Sequence, residues 1–224
     1  MVGPKFRQDN DISRYLYSKG HEIFEGHSQM IDRQVVLLKE LASDKSLRNA
    51  LEIGFNAGHS AELFLKDTTL NLISFDIAKW DYTPTSKEYI DTTYPHRHEL
   101  IIGNSTKTVP EYIENNPNKK FDLIYIDGGH DIKISKADLK NCRKLAHRET
   151  MVVMDDTVYS KKWERQWTSG PSKAWKQAIK LGEHGRSLVQ EISREEFSEG
   201  HGMSWGKYVF DYSVAELDFF WSKY

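Results

Sequence analysis

Leu51-Glu52-Ile53-Gly54-Phe55-Asn56-Ala57-Gly58-His59-Ser60 decides how this chain is read. The apolar, β-prone start is a strand. Gly54 and Gly58, four residues apart, make a tight turn, and a helical pattern follows at once. A strand, a turn and a helix N-terminus together form a cradle for a small molecule. The acid at the strand end narrows the ligand, because Glu52 would repel a pyrophosphate but suits a positive charge or sugar hydroxyls. The dinucleotide pattern G-x-G-x-x-G is absent, since Asn56 holds its second glycine position. No Gly-Lys-Ser/Thr follows, so the P-loop pattern is absent too. The plain structural alternative is a strand-to-helix turn that uses glycine for geometry alone.

Outward from this stretch the pattern alternates. Short apolar runs at 50–53, 70–75, 99–102, 121–126 and 151–154 are bounded by Gly, Asn, Asp or Ser, as buried parallel strands are. Helical patterns lie between them at about 60–66, 86–93, after Ser105 with Pro110 in the first turn, and at 132–146. This alternation predicts a parallel sheet with helices on both faces. Upstream, 1–20 reads as a polar arm and 21–42 as an amphipathic cover helix. Downstream, Ser172 is a candidate cap for a helix to about 181. Runs at 187–192 and 205–210, joined by a Gly-rich loop at 199–206, read as a terminal antiparallel hairpin, and 214–221 as a last helix. The expected organisation is a single domain over 1–224, with 1–45 as arm and cover helix and 46–224 as the core.

In an open α/β sheet, ligands bind at the carboxyl ends of the strands. Here those ends carry Glu52, Asp76, Asn104-Ser105, Asp127 and the pair Asp155-Asp156. Any one of them is an ordinary turn residue; the set on one rim is harder to explain that way. Asp76 sits where an acid accepts hydrogen bonds from ribose hydroxyls. Asn104 and Ser105 suit an adenine edge, and Ser105 also suits a helix cap. S-adenosylmethionine, with a sulfonium, an ammonium and a ribose, fits these acids. Asp127, Asp155 and Asp156 are a candidate metal set, because neighbouring strands are roughly 4.8 Å apart and unpaired acids so placed raise one another's pKa. Oxygen ligands favour magnesium, calcium or manganese over zinc. His130, three residues after Asp127 in a Gly-Gly-His turn, is a candidate general base. His59 and His201 are weaker candidates, the first through its backbone and the second from the hairpin loop.

The whole-chain numbers exclude some classes. A net charge of −2 over 224 residues gives no electrostatic case for nucleic acid. A single cysteine, Cys142, rules out an internal disulfide and fits a reducing compartment. No apolar run approaches the roughly 20 residues of a membrane span, and Met1–Asn10 lacks the apolar core of a signal peptide. A cytoplasmic protein is expected. The aromatic tail and the arm would suit a homodimer contact.

The ordered set from Ala50 to Thr157 resembles the class I S-adenosylmethionine-dependent methyltransferases, and is most similar to the metal-dependent O-methyltransferases of the catechol and antibiotic-sugar types. The resemblance implies a seven-stranded Rossmann-like sheet. It also implies that Glu52, Gly54, Asn56, Gly58 and Ser60 hold the methionine part of S-adenosylmethionine, with Asp76 on the ribose, Asn104 and Ser105 on adenine, and Asp127 beside the cofactor. Asp127, Asp155 and Asp156 would hold Mg2+, and His130, which stands where some sugar methyltransferases carry a histidine, would be the catalytic base. The implied reaction is O-methylation of a small-molecule or sugar hydroxyl, with Trp163, Trp167, Trp175 and Trp205 as candidate walls for the acceptor. The pair is Asp-Asp here, where the catechol type has Asp-Asn, and 157–206 matches no named pattern. The rival readings are a metal-independent methyltransferase acting on nitrogen or on a macromolecule, and a non-catalytic S-adenosylmethionine-binding protein. A nicotinamide dehydrogenase is disfavoured by the glycine spacing.

Overall fold

The computed structural model describes residues 10–25, 27–180 and 187–211. The chain divides after Asn104 into two compact units. The seven strands among the described residues follow the order β3-β2-β1-β4-β5-β7-β6, the α/β arrangement expected. The last helix expected at 214–221 and the first nine residues of the arm lie outside the described residues.

The first unit contains α1 (Asp11–Ser18), α2 (Asp32–Ala42), β1 (Asn49–Ile53), α3 (His59–Leu65), β2 (Asn71–Asp76), α4 (Thr83–Thr93) and β3 (His98–Ile102). The three strands are parallel, with Leu51 opposite Ile73 and Ser74 opposite Leu100. Ala50, Leu51 and Ile53 are wholly or almost wholly buried, as expected for a parallel strand covered on both faces. Every residue of α3 is buried, so it is a core helix without a solvent face. Gly58 opens it with φ +80, and a Cβ there would stand 2.9 Å from Ile12 Cδ1. Both the backbone twist and the lack of room demand glycine.

The N-terminal expectation needs correction. Part of the arm is a helix, α1, capped by the Asn10 side chain, which accepts from Ser13 N at 2.8 Å. The cover helix is shorter than expected and begins only at Asp32. Gly20 ends α1 with φ +85, and the apolar residues that follow it belong to a loop. There Ile23 is buried, while Phe24 is exposed and lies against Trp80.

The second unit contains α5 (Ser105–Asn115), β4 (Phe121–Ile126), α6 (Ile132–Lys144), β5 (Ala146–Met154), α7 (Gln166–Ile179), β6 (Val189–Ser198) and β7 (His201–Tyr208). β4 and β5 are parallel, whereas β7 runs antiparallel to both β5 and β6. Phe121, Ile124, Tyr125, Leu139, Val152, Val153 and Trp175 fill its core.

Three details differ from expectation here. Pro110 lies in the second turn of α5 instead of its first, where its missing N–H leaves a carbonyl to be met elsewhere. α7 starts six residues before Ser172, at a box in which Arg165 N donates to Thr168 Oγ1 at 2.9 Å. Ser172 is therefore an interior helix residue, and its hydroxyl accepts from Val158 N at 2.8 Å. The hairpin turns on Glu199-Gly200 alone, and Gly202 and Gly206 are strand residues of β7.

Candidate functional site

Glu52 is the one charged residue in β1 and has no exposed surface. One carboxylate oxygen accepts from the Ser60 hydroxyl and the other from Ser74 Oγ at 2.6 Å. The single Ser74 hydrogen points at Glu52, so Ser74 accepts from His98 Nε2 at 2.9 Å. Burial pushes the Glu52 carboxyl up to about 7, the serine bonds partly opposing it. Burial also pulls the His98 imidazole down to about 4, which keeps it neutral. Ser60 is tied to β1 in this way, so Glu52 anchors both the start of α3 and β2. Ser74 and His98 escaped sequence reasoning, although a serine inside the apolar run of β2 was the available signal.

Asp76 does for the turn what Glu52 does for the strands. Asp76 Oδ2 accepts from Asn56 N at 2.8 Å, and Asp76 Oδ1 accepts from Ala78 N at 2.6 Å. Asn56 is left-handed, with φ 48, and its side-chain oxygen accepts from Tyr82 OH at 2.6 Å. The Gly54–Gly58 turn is therefore fixed from the end of β2 and from the start of α4. Asp76 stays half-buried, and a carboxylate has lone pairs beyond the two already used. That donor set fits a sugar diol.

The His59 ring is packed into the interior. It stacks on His27 at 3.6 Å between centroids, and is 2.8 Å from Ser13 Oγ. The His59 carbonyl accepts from Gln29 Nε2 at 2.9 Å. Burial holds the His59 imidazole well below its ordinary range and takes His27 down to about 4.

In the second unit Ser105 opens α5, and its hydroxyl partly offsets the effect of burial on Asp138 of α6. Both Asp138 oxygens are buried with no hydrogen-bond partner among the described residues, and burial pushes the group up to about 7. Asn104 immediately precedes α5.

Asp127, His130, Asp155 and Asp156 line one small pocket at the ends of β4 and β5. Asp127, His130 and Asp156 each offer a ligand atom, all within 4.8 Å of one another. His130 Nε2 is 2.9 Å from Asp156 Oδ2. Asp155 makes contacts of its own beside this group. It is buried, accepts the Tyr125 hydroxyl hydrogen on one oxygen, and accepts from Asp156 N at 2.8 Å on the other. Asp156 is left-handed, with φ 56, so the Asp-Asp pair sends its two side chains to different partners. Tyr125 was missed as well. It is fully buried, and burial followed by the flanking carboxylates pushes its phenol well above the usual range. Two carboxylates and an imidazole are a fitting donor set for a divalent cation.

A groove of about 550 Å³ opens beside His130, bounded by the His130–Ile132 loop and α7. Gly170 lets the two meet, since a Cβ there would collide with the His130 carbonyl oxygen. Of the four candidate tryptophans only Trp167 lines this groove. Trp175 is core, and its indole N–H donates to Glu191 at 2.7 Å. His201 is the first residue of β7 and not part of a loop.

Residues 51–157 match a family model described as a methyltransferase domain. No curated protein matches the chain. Several solved structures share its fold. An O-methyltransferase from Bacillus cereus in complex with SAH is 17% identical, with 88% of this chain and 89% of that one covered at a TM-score of 0.66. TomG from Streptomyces achromogenes, an O-methyltransferase in complex with SAM, is 17% identical, with 88% and 96% covered at 0.62. The N-methyltransferase NodS from Bradyrhizobium japonicum is 14% identical, with 80% and 96% covered at 0.56.

Proposed function

We propose, from the match of residues 51–157 to a methyltransferase domain and the fold shared with O-methyltransferases, S-adenosylmethionine-dependent and divalent-metal-dependent O-methylation of a small hydroxylated acceptor. The observation that carries this reading is the convergence of Asp127, Asp156 and His130 beside an open groove.

The first unit serves the methyl donor. Asp76 holds the ribose hydroxyls, and the Gly54–Gly58 turn, braced by Asp76 and Tyr82, seats the methionine part. Glu52 acts from beneath through Ser60 and Ser74. Asn104, at the end of this unit, serves the adenine. S-adenosylmethionine supplies an electrophilic methyl group when bound.

The second unit serves the acceptor. Asp127 and Asp156 hold a magnesium-type cation, with Asp155 supporting them through Tyr125 and through the Asp156 backbone. A divalent cation there supplies Lewis-acid polarisation of an acceptor oxygen. His130 takes the acceptor's proton. Its Nε2 hydrogen points at Asp156, which places the basic lone pair on Nδ1 and stabilises the imidazolium that results. Much of the rate would come from holding oxygen and methyl in line.

Among the described residues no helix is long and apolar enough to cross a membrane, and the cytoplasm is our proposed location. The test is calorimetry with S-adenosylhomocysteine and Mg2+, followed by turnover on hydroxyl and amine panels with and without chelator. Donor binding with chelator-sensitive methylation of hydroxyls supports the proposal. Chelator-resistant methylation of amines would replace it with a metal-free N-methyltransferase.

A further inference from the structure

The groove beside His130 carries a pattern of its own. Gln166, Ser169, Gly170 and Lys173 are spaced i, i+3, i+4 and i+7, so they share one face of α7. That face lines the groove. Gly170 presses it against the His130 carbonyl, which fixes the distance between this helix face and the imidazole's own loop.

Trp167 is the second element. It is 41% exposed, unusual for so large a ring, yet it is held firmly. Its indole N–H donates to the Gly200 carbonyl at 3.1 Å. Its Cζ2 is 2.6 Å from where a Gly200 Cβ would be, and Gly200 has φ +75. Gly200 N in turn donates to Trp163 O at 2.9 Å. The β6–β7 turn thus clamps one edge of the indole and leaves the rest of the ring on the groove. An aromatic face already immobilised loses little entropy when a ring settles on it.

Lys173 is the third. It is exposed and has no ion pair or hydrogen bond among the described residues. The other formally charged side chain of the lining, Asp131, caps α6 by accepting from Lys133 N at 2.7 Å. Lys173 is three residues beyond Gly170, about 4.5 Å of helical rise. A cation thus stands roughly one ring's length along the helix from the point where α7 meets the His130 loop.

Building on the O-methyltransferase reading, we infer that the acceptor is a hydroxylated ring bearing an anionic substituent. The ring rests on Trp167, the reacting hydroxyl faces His130, and the anion is read by Lys173. Trp167 and Lys173 select the acceptor and take no part in the proton transfer.

The test measures binding to the full chain saturated with S-adenosylhomocysteine, using two matched probe pairs: catechol with 3,4-dihydroxybenzoate, and galactose with galacturonate. At least one carboxylated probe should bind tenfold or more tightly than its neutral partner. Lys173→Gln should erase that preference and Lys173→Glu should reverse it. Trp167→Ala should weaken both members of the preferred pair by a similar factor. S-adenosylhomocysteine affinity should not change in any variant. Which pair responds tells a planar from a saturated ring. Equal affinity within both pairs, or a preference that survives Lys173→Gln, would overturn the inference and leave the methyltransferase reading standing. Failure of S-adenosylhomocysteine to bind the unaltered chain would overturn both.

Discussion

Tyr125, wholly buried in β4, donates its hydroxyl hydrogen to Asp155, and the same oxygen stands 3.4 Å from Asp127. One phenol therefore separates two carboxylates that would otherwise face each other across neighbouring strands. Tyr125→Phe removes the hydroxyl whose hydrogen this buried Asp155 oxygen accepts. A loss of about 1–3 kcal/mol in stability is expected, measured by denaturant unfolding. Stability equal to that of the unaltered chain would show that the bond contributes nothing.

The division of labour within Asp155-Asp156 predicts unequal variants. Asp156→Asn should abolish Mn2+ binding in a calorimetric or paramagnetic titration, because its carboxylate is in the cluster with Asp127 and His130. Asp155→Asn should weaken that binding only in part, acting through Tyr125 and the Asp156 backbone. Equal loss from both would make Asp155 a direct ligand.

His130→Ala should lower turnover by about 100-fold or more, the usual range for a lost general base. S-adenosylhomocysteine affinity should be unaffected, because His130 is assigned no contact with the donor. An unchanged rate removes His130 from the proton transfer.

How much of this was legible in the residues depends on what kind of information each feature carries. The strand ends were visible, because short apolar runs closed by Asp or Gly have few other readings, and Glu52, Asp76 and Asp127 fall where expected. The eight-residue α1 was not, because Ile12 and Leu16 are its only buried apolar pair and the Asn10 cap looks like any polar residue. α7 was started too late because Gly170 and Pro171 look like helix breakers; here Gly170 is a contact point and Pro171 is carried inside the helix. The parting of Asp155 from Asp156 rests on a left-handed backbone at a non-glycine residue, which no spacing rule announces.

The buried Glu52 carboxyl should make stability depend on pH. Its folded-state pKa is raised from 4.5 to about 7. Below pH 4.5 the group is protonated whether the chain is folded or not. Above that, the unfolded chain releases the proton while the folded one retains it, so stability falls as pH rises through 7. The effect is on the order of 3 kcal/mol. Glu52→Gln should flatten this part of the profile and narrow the gap in melting temperature between pH 5 and pH 8. An identical slope in the variant would mean that Glu52 ionises as freely folded as unfolded. His27 and His59 act in the opposite sense, since their lowered pKa values favour the folded state above pH 6.5 and are lost as pH falls toward 4.

Ile12 of α1 fills the space that a side chain at Gly58 would need, and Ser13 bonds the histidine beside it. The loop proposed to seat the donor is thereby wedged by a helix that lies some forty residues earlier in the chain and that has no part in the proposed reaction. Trimming the protein back to Gly20 should slacken the loop and cut S-adenosylhomocysteine affinity while leaving Mn2+ binding intact. Such a shortened protein would read as defective in its donor pocket although every residue of that pocket is still present.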